Sequence, residues 1–203
     1  MTKNITKIIA GLGIVAGLGV AALPLGTYAA NPQDVIVRVT ITETVGTVEP
    51  KCTTAATSGA AGITLPDADC GIEGVSNTGI RITIKDFDTD LNLVGQSGAA
   101  ATGPQTIAPI GATSNLADVT LATAPTGGWG YSFDTNSAPG LTKNPAHTGW
   151  NGITAADVML ASSTVPVDLD TTPATLSFRT ATIASQAPGV YEDVVTITVS
   201  VNP

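Results

Sequence analysis

Basic residues are scarce in this chain: eight lysines and arginines stand against sixteen aspartates and glutamates, for a net charge of −8. Binding to nucleic acid needs a basic surface, so that class of partner is excluded. Histidine is scarcer still. His147, in the loop Asn144-Pro145-Ala146-His147-Thr148-Gly149-Trp150, is the single one, and with no G-x-S-x-G elbow beside it, it completes no hydrolase triad. It reads as a solvated loop histidine next to Trp150. One histidine and two cysteines also fall short of a zinc set. The acids are plentiful, but a glycosidase pair is defined by the separation of two carboxylates in space, which chain spacing does not give. The chain therefore reads as non-catalytic, with a secreted hydrolase the least favoured class. No repeat of fixed period occurs, which excludes solenoids and propellers.

What is abundant points to strands. Charged residues make up only 12% of the chain, and Thr, Ala, Gly, Val and Ser take the places that Lys, Glu and Leu fill in helical proteins. One segment departs from this composition. Lys3 and Lys7 precede an apolar, glycine-rich run over residues 8–23, followed by Pro24 and Gly26-Thr27-Tyr28-Ala29-Ala30. This is the order of a secretory signal helix. Small Thr27 and Ala29 favour a cut after Ala29, because a cut after Ala30 would put Tyr28 in a small-residue pocket. The alternative is a retained anchor, since the run is only slightly short of a spanning helix and Gly13 and Gly17 have the spacing of packed membrane helices. The membrane would be a partner only through this segment. There is no cysteine near the cut for a lipid anchor and no glutamate after it as in type IV pilins. Leu65-Pro66-Asp67 sits mid-chain without the Thr-Gly of a sorting signal. Losing Lys3 and Lys7 takes the net charge from −8 to about −10. Residues 30–203 are then expected to form one domain, secreted or held at the cell surface.

Period-two alternation recurs through that domain. Val35, Val37, Val39 and Ile41 share one face of a first strand, and Ile80, Ile82 and Ile84 share one face of another. After Asp86-Phe87-Asp88-Thr89-Asp90 the chain resumes at residues 91–94, which reads as a strand, a turn and a return. Residues 118–122 give a further strand. Trp129, Tyr131 and Phe133 align on one face and supply most of the aromatic core. Strands at 176–183 and 190–201 close the chain, the last alternating Val195, Ile197, Val199 and Val201 with polar residues. The predicted fold is all-β, an antiparallel β-sandwich of immunoglobulin-like or jelly-roll-like kind, with residues 95–104 as an exposed loop. Cys52 and Cys70 are expected to form a disulfide, as exported proteins do in oxidising surroundings. It would close a Thr/Ala/Gly loop that has little apolar periodicity of its own.

The closing segment Ala187-Pro188-Gly189-Val190-Tyr191-Glu192-Asp193-Val194-Val195-Thr196-Ile197-Thr198-Val199 resembles the last turn and strand of bacterial surface β-sandwiches, among them spore-coat-U-like, fimbrial-type and WxL-type domains. In such a segment Pro-Gly makes the turn, the tyrosine packs at the sandwich corner and the alternating valines seal the core. Gly128-Trp129-Gly130-Tyr131 is similar to the first tryptophan segment of the WxL group. Its second tryptophan is replaced here by Thr196-Ile197-Thr198. The resemblance implies assembly or adhesion at a cell surface, with the chain itself, other surface proteins or glycans as partners.

Three sets of residues are candidates for that work. Val35, Val37, Val39 and Ile41 form a strand that either pairs within its own sheet or leaves to complete the sheet of the next subunit in a filament or surface layer. Tyr131 and Trp150, with the long loops, would serve a glycan-binding adhesin. Asp86, Asp88 and Asp90 have the i, i+2, i+4 spacing that opens a calcium loop, although Leu91 stands where an EF-hand has glycine and Ser97 where it has its bidentate glutamate. Calcium is thus the one cofactor considered, and a polar turn between strands is the alternative. Whether Lys51, Lys85 or Lys143 forms a side-chain cross-link to asparagine stays open.

Overall fold

Alternating apolar rows on Thr- and Val-rich strands build two facing sheets. The computed structural model describes residues 34–44, 48–88, 90–96, 105–111, 127–147 and 149–201, all within the compact unit Asn31–Pro203. The expected signal segment with its cut at Ala29 or Ala30, the expected strand at 118–122, Ser97 and most of the expected loop at 95–104 lie outside the described residues.

The larger sheet contains β1 (Asp34–Thr44), β3 (Thr54–Ala60), β5 (Ile80–Asp86), β6 (Leu93–Gly95), β7 (Thr106–Ile107), β9 (Thr142–Lys143), β10 (Val158–Ser162) and β13 (Gly189–Val201). Its main path runs β3-β1-β13-β5-β10-β9, with β6 joined to β13 and β7 to β6. The smaller sheet holds β2 (Val48–Pro50), β4 (Ala68–Ser76), β8 (Gly128–Asp134), β11 (Val167–Asp168) and β12 (Ala174–Ala181), in the order β11-β4-β12-β8 with β2 also on β4. The architecture is the expected all-β sandwich. The larger sheet is mixed, because β1 runs parallel to β13, from Val35 opposite Gly189 to Thr44 opposite Thr198.

The core lies between the inner rows. From the larger sheet come Val37, Val39, Ile82, Ile84, Tyr191, Val195 and Ile197, and from the smaller sheet Cys70, Ile72, Trp129, Tyr131, Phe133, Leu176 and Phe178, all buried. Tyr191 is wholly enclosed and its hydroxyl donates to the Ala187 carbonyl at 2.6 Å, the corner that the Pro-Gly-Val-Tyr segment predicted. The Trp129 indole donates to the Leu91 carbonyl at 3.0 Å, so a core aromatic anchors the loop after β5.

Two departures from the sequence reading bear on function. Residues 53–69, expected to be a loop, contain β3 and the start of β4. Small side chains gave no periodicity there, and β3 forms because β1 offers it a ladder from Asp34 opposite Ala60 to Thr40 opposite Thr54. Second, β6 is not the return arm of a hairpin with β5. Both run antiparallel to β13 on the same flank: Asp86 lies opposite Val195, and Val94 opposite Glu192. The chain bulges out over residues 87–93 while β13 advances through only Asp193 and Val194, then rejoins the same line.

Candidate functional site

That bulge brings the acids together. The inner row of β13 reads Tyr191, Asp193, Val195, Ile197, and the inner row of β5 reads Ile80, Ile82, Ile84, Asp86, so each row carries one buried carboxylate. With Asp86 opposite Val195, the two aspartates are diagonal neighbours on one face. The Phe87 N–H still reaches the Val194 carbonyl at 3.0 Å, and continuing that register one step sets Asp88 opposite Asp193. One carboxylate oxygen from each of Asp86, Asp88 and Asp193 lies within 4.8 Å of the other two.

Asp90, expected to be the third member, stands beside this group. Its Oδ1 accepts from the Asn92 side-chain amide at 2.8 Å, and its own N–H donates to Asp88 Oδ1 at 3.0 Å. It helps line a cavity of about 320 Å³ with Thr40, Asp88, Asn92, Val94, Gln96, Glu192, Asp193 and Val194. Four of these carry carboxylates and none is basic. Arg38 on β1 pairs with Glu192 on the outward row. Asp193 is only 7% exposed. Its Oδ1 accepts the Val194 N–H at 2.7 Å and its Oδ2 is buried with no hydrogen-bond partner. Burial, reinforced by Asp86, Asp88 and Asp90 and opposed by the Val194 N–H, pushes the Asp193 carboxyl up to about 8. The sequence reading missed Asp193. Counting back in twos from Val195 would have placed it inward, but that Asp86 lies next to it depends on strand order.

The other candidates fall elsewhere. Cys52 and Cys70 form the expected disulfide, with Cα atoms 5.5 Å apart. Lys51 beside it pairs with Glu49 at 2.5 Å. The candidate assembly strand pairs within its own sheet, β1 being flanked by β13 and β3. Val37 and Val39 point into the core, while the side chains of Val35 and Ile41 lie outside the described set. Tyr131 is 1% exposed, which removes it as a surface platform for sugars. The Trp150 ring is capped by the Arg179 guanidinium, 4.2 Å from its centroid, and Arg179 forks onto both oxygens of Asp67 at 2.6 and 2.8 Å. His147 is half-buried, its ring 6.3 Å from that of Tyr131. Chemically, the acid group can hold a hard cation through oxygen. No protein-family model matches the chain and no curated protein matches it.

Proposed function

We propose that this chain is an exported, non-catalytic structural component of the bacterial cell surface that associates with its own copies through the edge strand β3. The observation that carries the reading is the character of that edge. Exposed sheet edges are ordinarily guarded by charge, proline, brevity or cover. β3 has the sequence Thr-Ala-Ala-Thr-Ser-Gly-Ala, seven residues with neither charge nor proline, and among the described residues no strand lies on its outer side. The opposite end of the same path is β9, two residues long. In the smaller sheet β8 is covered on its free side, where Trp129 and Tyr131 exchange backbone hydrogen bonds with residues 108, 110 and 151. That cover is tight: a Cβ on Gly130 would meet the Asn151 carbonyl oxygen at 2.5 Å, and one on Gly152 would meet that of Ile110 at 1.7 Å. One edge is thus sealed at the expense of side-chain volume while the other is left bare.

Exchange of β1 between subunits would break ladders on both its sides, whereas adding a strand to β3 breaks none, so edge addition is the simpler route to a filament or layer. The disulfide supports an oxidising compartment, and the signal-like N-terminus supports export.

The test is substitution on the edge. Ala56 and Ser58 are exposed, so Ala56→Lys with Ser58→Lys adds charge to β3 without touching the core. The exported protein is expected to form oligomers in sedimentation velocity, and the double variant to sediment as a monomer with an unchanged circular dichroism spectrum. A wild-type chain that stays monomeric at all concentrations, or lysine variants that assemble equally well, would sink the reading.

A further inference from the structure

We propose that Asp86, Asp88 and Asp193 bind a hard divalent cation of the calcium class, which ties the bulge between β5 and β6 to the last strand. This goes beyond the surface-subunit reading and does not depend on it.

The donor set is three carboxylates without nitrogen or sulfur, which suits calcium, magnesium or manganese rather than zinc. Coordination habit narrows the choice. Two oxygens on one calcium ion stand at most roughly 4.6 to 5.2 Å apart, twice the bond length, and the three oxygens here lie within 4.8 Å of one another. Calcium's flexible shell of about six to eight oxygens suits a site shared between carboxylates and water better than the strict octahedron of magnesium.

An acid cluster alone would not identify a site, since exposed carboxylates gather on many surfaces. Asp193 is the independent observation. Only 7% exposed, with Oδ2 lacking any hydrogen-bond partner, it sits at the one point along the β5 flank of β13 where the ladder is interrupted. A carboxylate this buried can ionise only beside a counter-charge, and the cavity next to it is lined by Asp88, Asp90 and Glu192 without a basic residue. A cation turns three mutually repelling groups into ligands. The cavity leaves room for water in the remaining coordination positions. The EF-hand comparison fails within the loop, where Leu91 replaces the glycine. The sandwich substitutes for that loop by bringing the third carboxylate from the far end of the chain.

A site with one enclosed side and one open to solvent belongs with extracellular calcium modules, whose dissociation constants are on the order of 10⁻⁴ to 10⁻³ M. At about 10 mM calcium, mass action then raises the melting temperature by roughly 3 to 10 °C over chelator for a domain of this size. The experiment uses the mature chain, freed of metal with chelator and dialysed. Calcium chloride is titrated by calorimetry, and melting is followed with calcium, with magnesium and with sodium chloride of equal ionic strength. Saturable heat and a melting shift larger for calcium than for magnesium are expected. Asp193→Asn and, as an exposed second variant that leaves the core untouched, Asp88→Asn should each abolish the shift, while Asp90→Asn keeps most of it. The proposal falls if calcium gives no heat and no shift, or if sodium or magnesium reproduces the whole shift. It falls equally if Asp90→Asn abolishes the effect while Asp88→Asn and Asp193→Asn retain it.

Discussion

The two sheets of this sandwich differ in how far they satisfy themselves. The smaller one is closed by its own chain: Cys70 of β4 is bonded to Cys52, Arg179 of β12 is held by Asp67 and stacked on Trp150, and the free side of β8 is covered by residues 108–110 and 151. In the larger sheet, no strand among the described residues lies on the outer side of β3, and Asp88, Asp90, Glu192 and Asp193 line a cavity at the β5–β13 bulge that has no basic residue in its lining. Stability is expected to respond to covalent and side-chain changes in the smaller sheet, and to solution conditions and partners at the larger one.

Opening the disulfide is the largest blow to the closed side. Cross-linking Cys52 to Cys70, 18 positions apart, stabilises by about 3 kcal/mol in the chain-entropy model. Cys52→Ser with Cys70→Ser, or full reduction, is expected to lower the melting temperature by roughly 6 to 12 °C in a domain of this length. Because β3 and β4 are joined through the cross-linked segment, edge assembly should weaken in parallel. A reduced protein that melts unchanged would show that the β1–β3 ladder alone holds the segment, and the contrast between the sheets would lose its main support.

pH separates the sheets by sign. Asp168, on β11 of the smaller sheet, accepts the Thr171 N–H and hydroxyl, each at 3.1 Å, and these bonds hold its carboxyl below the usual range. Its contribution is present above the unfolded pKa and is lost as pH falls through the lowered folded value. Asp193 behaves oppositely. Its folded value of about 8 lies above the unfolded one, so its contribution is complete below about pH 4 and is lost as pH rises towards 8. The carboxylates facing it are Asp86 and Asp88, with Asp90 and Glu192 around the cavity and Arg38 engaged by Glu192. In chelator, the metal-free protein should lose stability between pH 5 and 7, by up to about 1.4 kcal/mol per pH unit for one proton. Asp193→Asn should flatten that slope, and Asp168→Asn should leave it alone. A wild-type protein with no slope in this window would show that Asp193 ionises freely, and the sheets would then not differ in this respect.

The apolar rows of both sheets were legible in the chain. Val195, Ile197 and Val199, and Trp129, Tyr131 and Phe133, announced their inner rows because large apolar side chains alternate there. The two cysteines and the Pro-Gly-Val-Tyr corner were legible for the same reason, a local pattern with a local physical meaning. The edge strand and the acid group of the larger sheet were not. β3 carries Thr, Ala, Ser and Gly, which show no periodicity, and becomes a strand through a partner distant in sequence. The parallel pairing of β1 with β13 is likewise a matter of sheet order. Asp86 was noticed for its spacing to Asp88 and Asp90, a loop signal, when its place at the end of the Ile80-Ile82-Ile84 row is what buries it. Asp193 lies between Tyr191 and Val195 in the inner row of β13, and only the register between the two strands reveals that it stands diagonally across from Asp86.

The smallest effect expected is at Arg179, and it probes whether the closed side depends on its ion pair. The side chains of Arg179 and Asp67 are 29% and 33% exposed, so water screens the pair and its net worth is below about 1 kcal/mol. Stacking on Trp150 adds a contribution of similar size. Arg179→Lys keeps the charge but loses the fork and the planar stack, and should lower the melting temperature by only about 2 to 4 °C. Arg179→Ala should cost little more, because the exposed Asp67 is rehydrated. If either variant instead matched the loss of the disulfide, the fork on Asp67 and the cap on Trp150 would be holding β12 in place. The smaller sheet would then owe its closure to charge as much as to the covalent link, and the contrast with the acids at Asp86, Asp88 and Asp193 would lie in how each sheet neutralises its carboxylates.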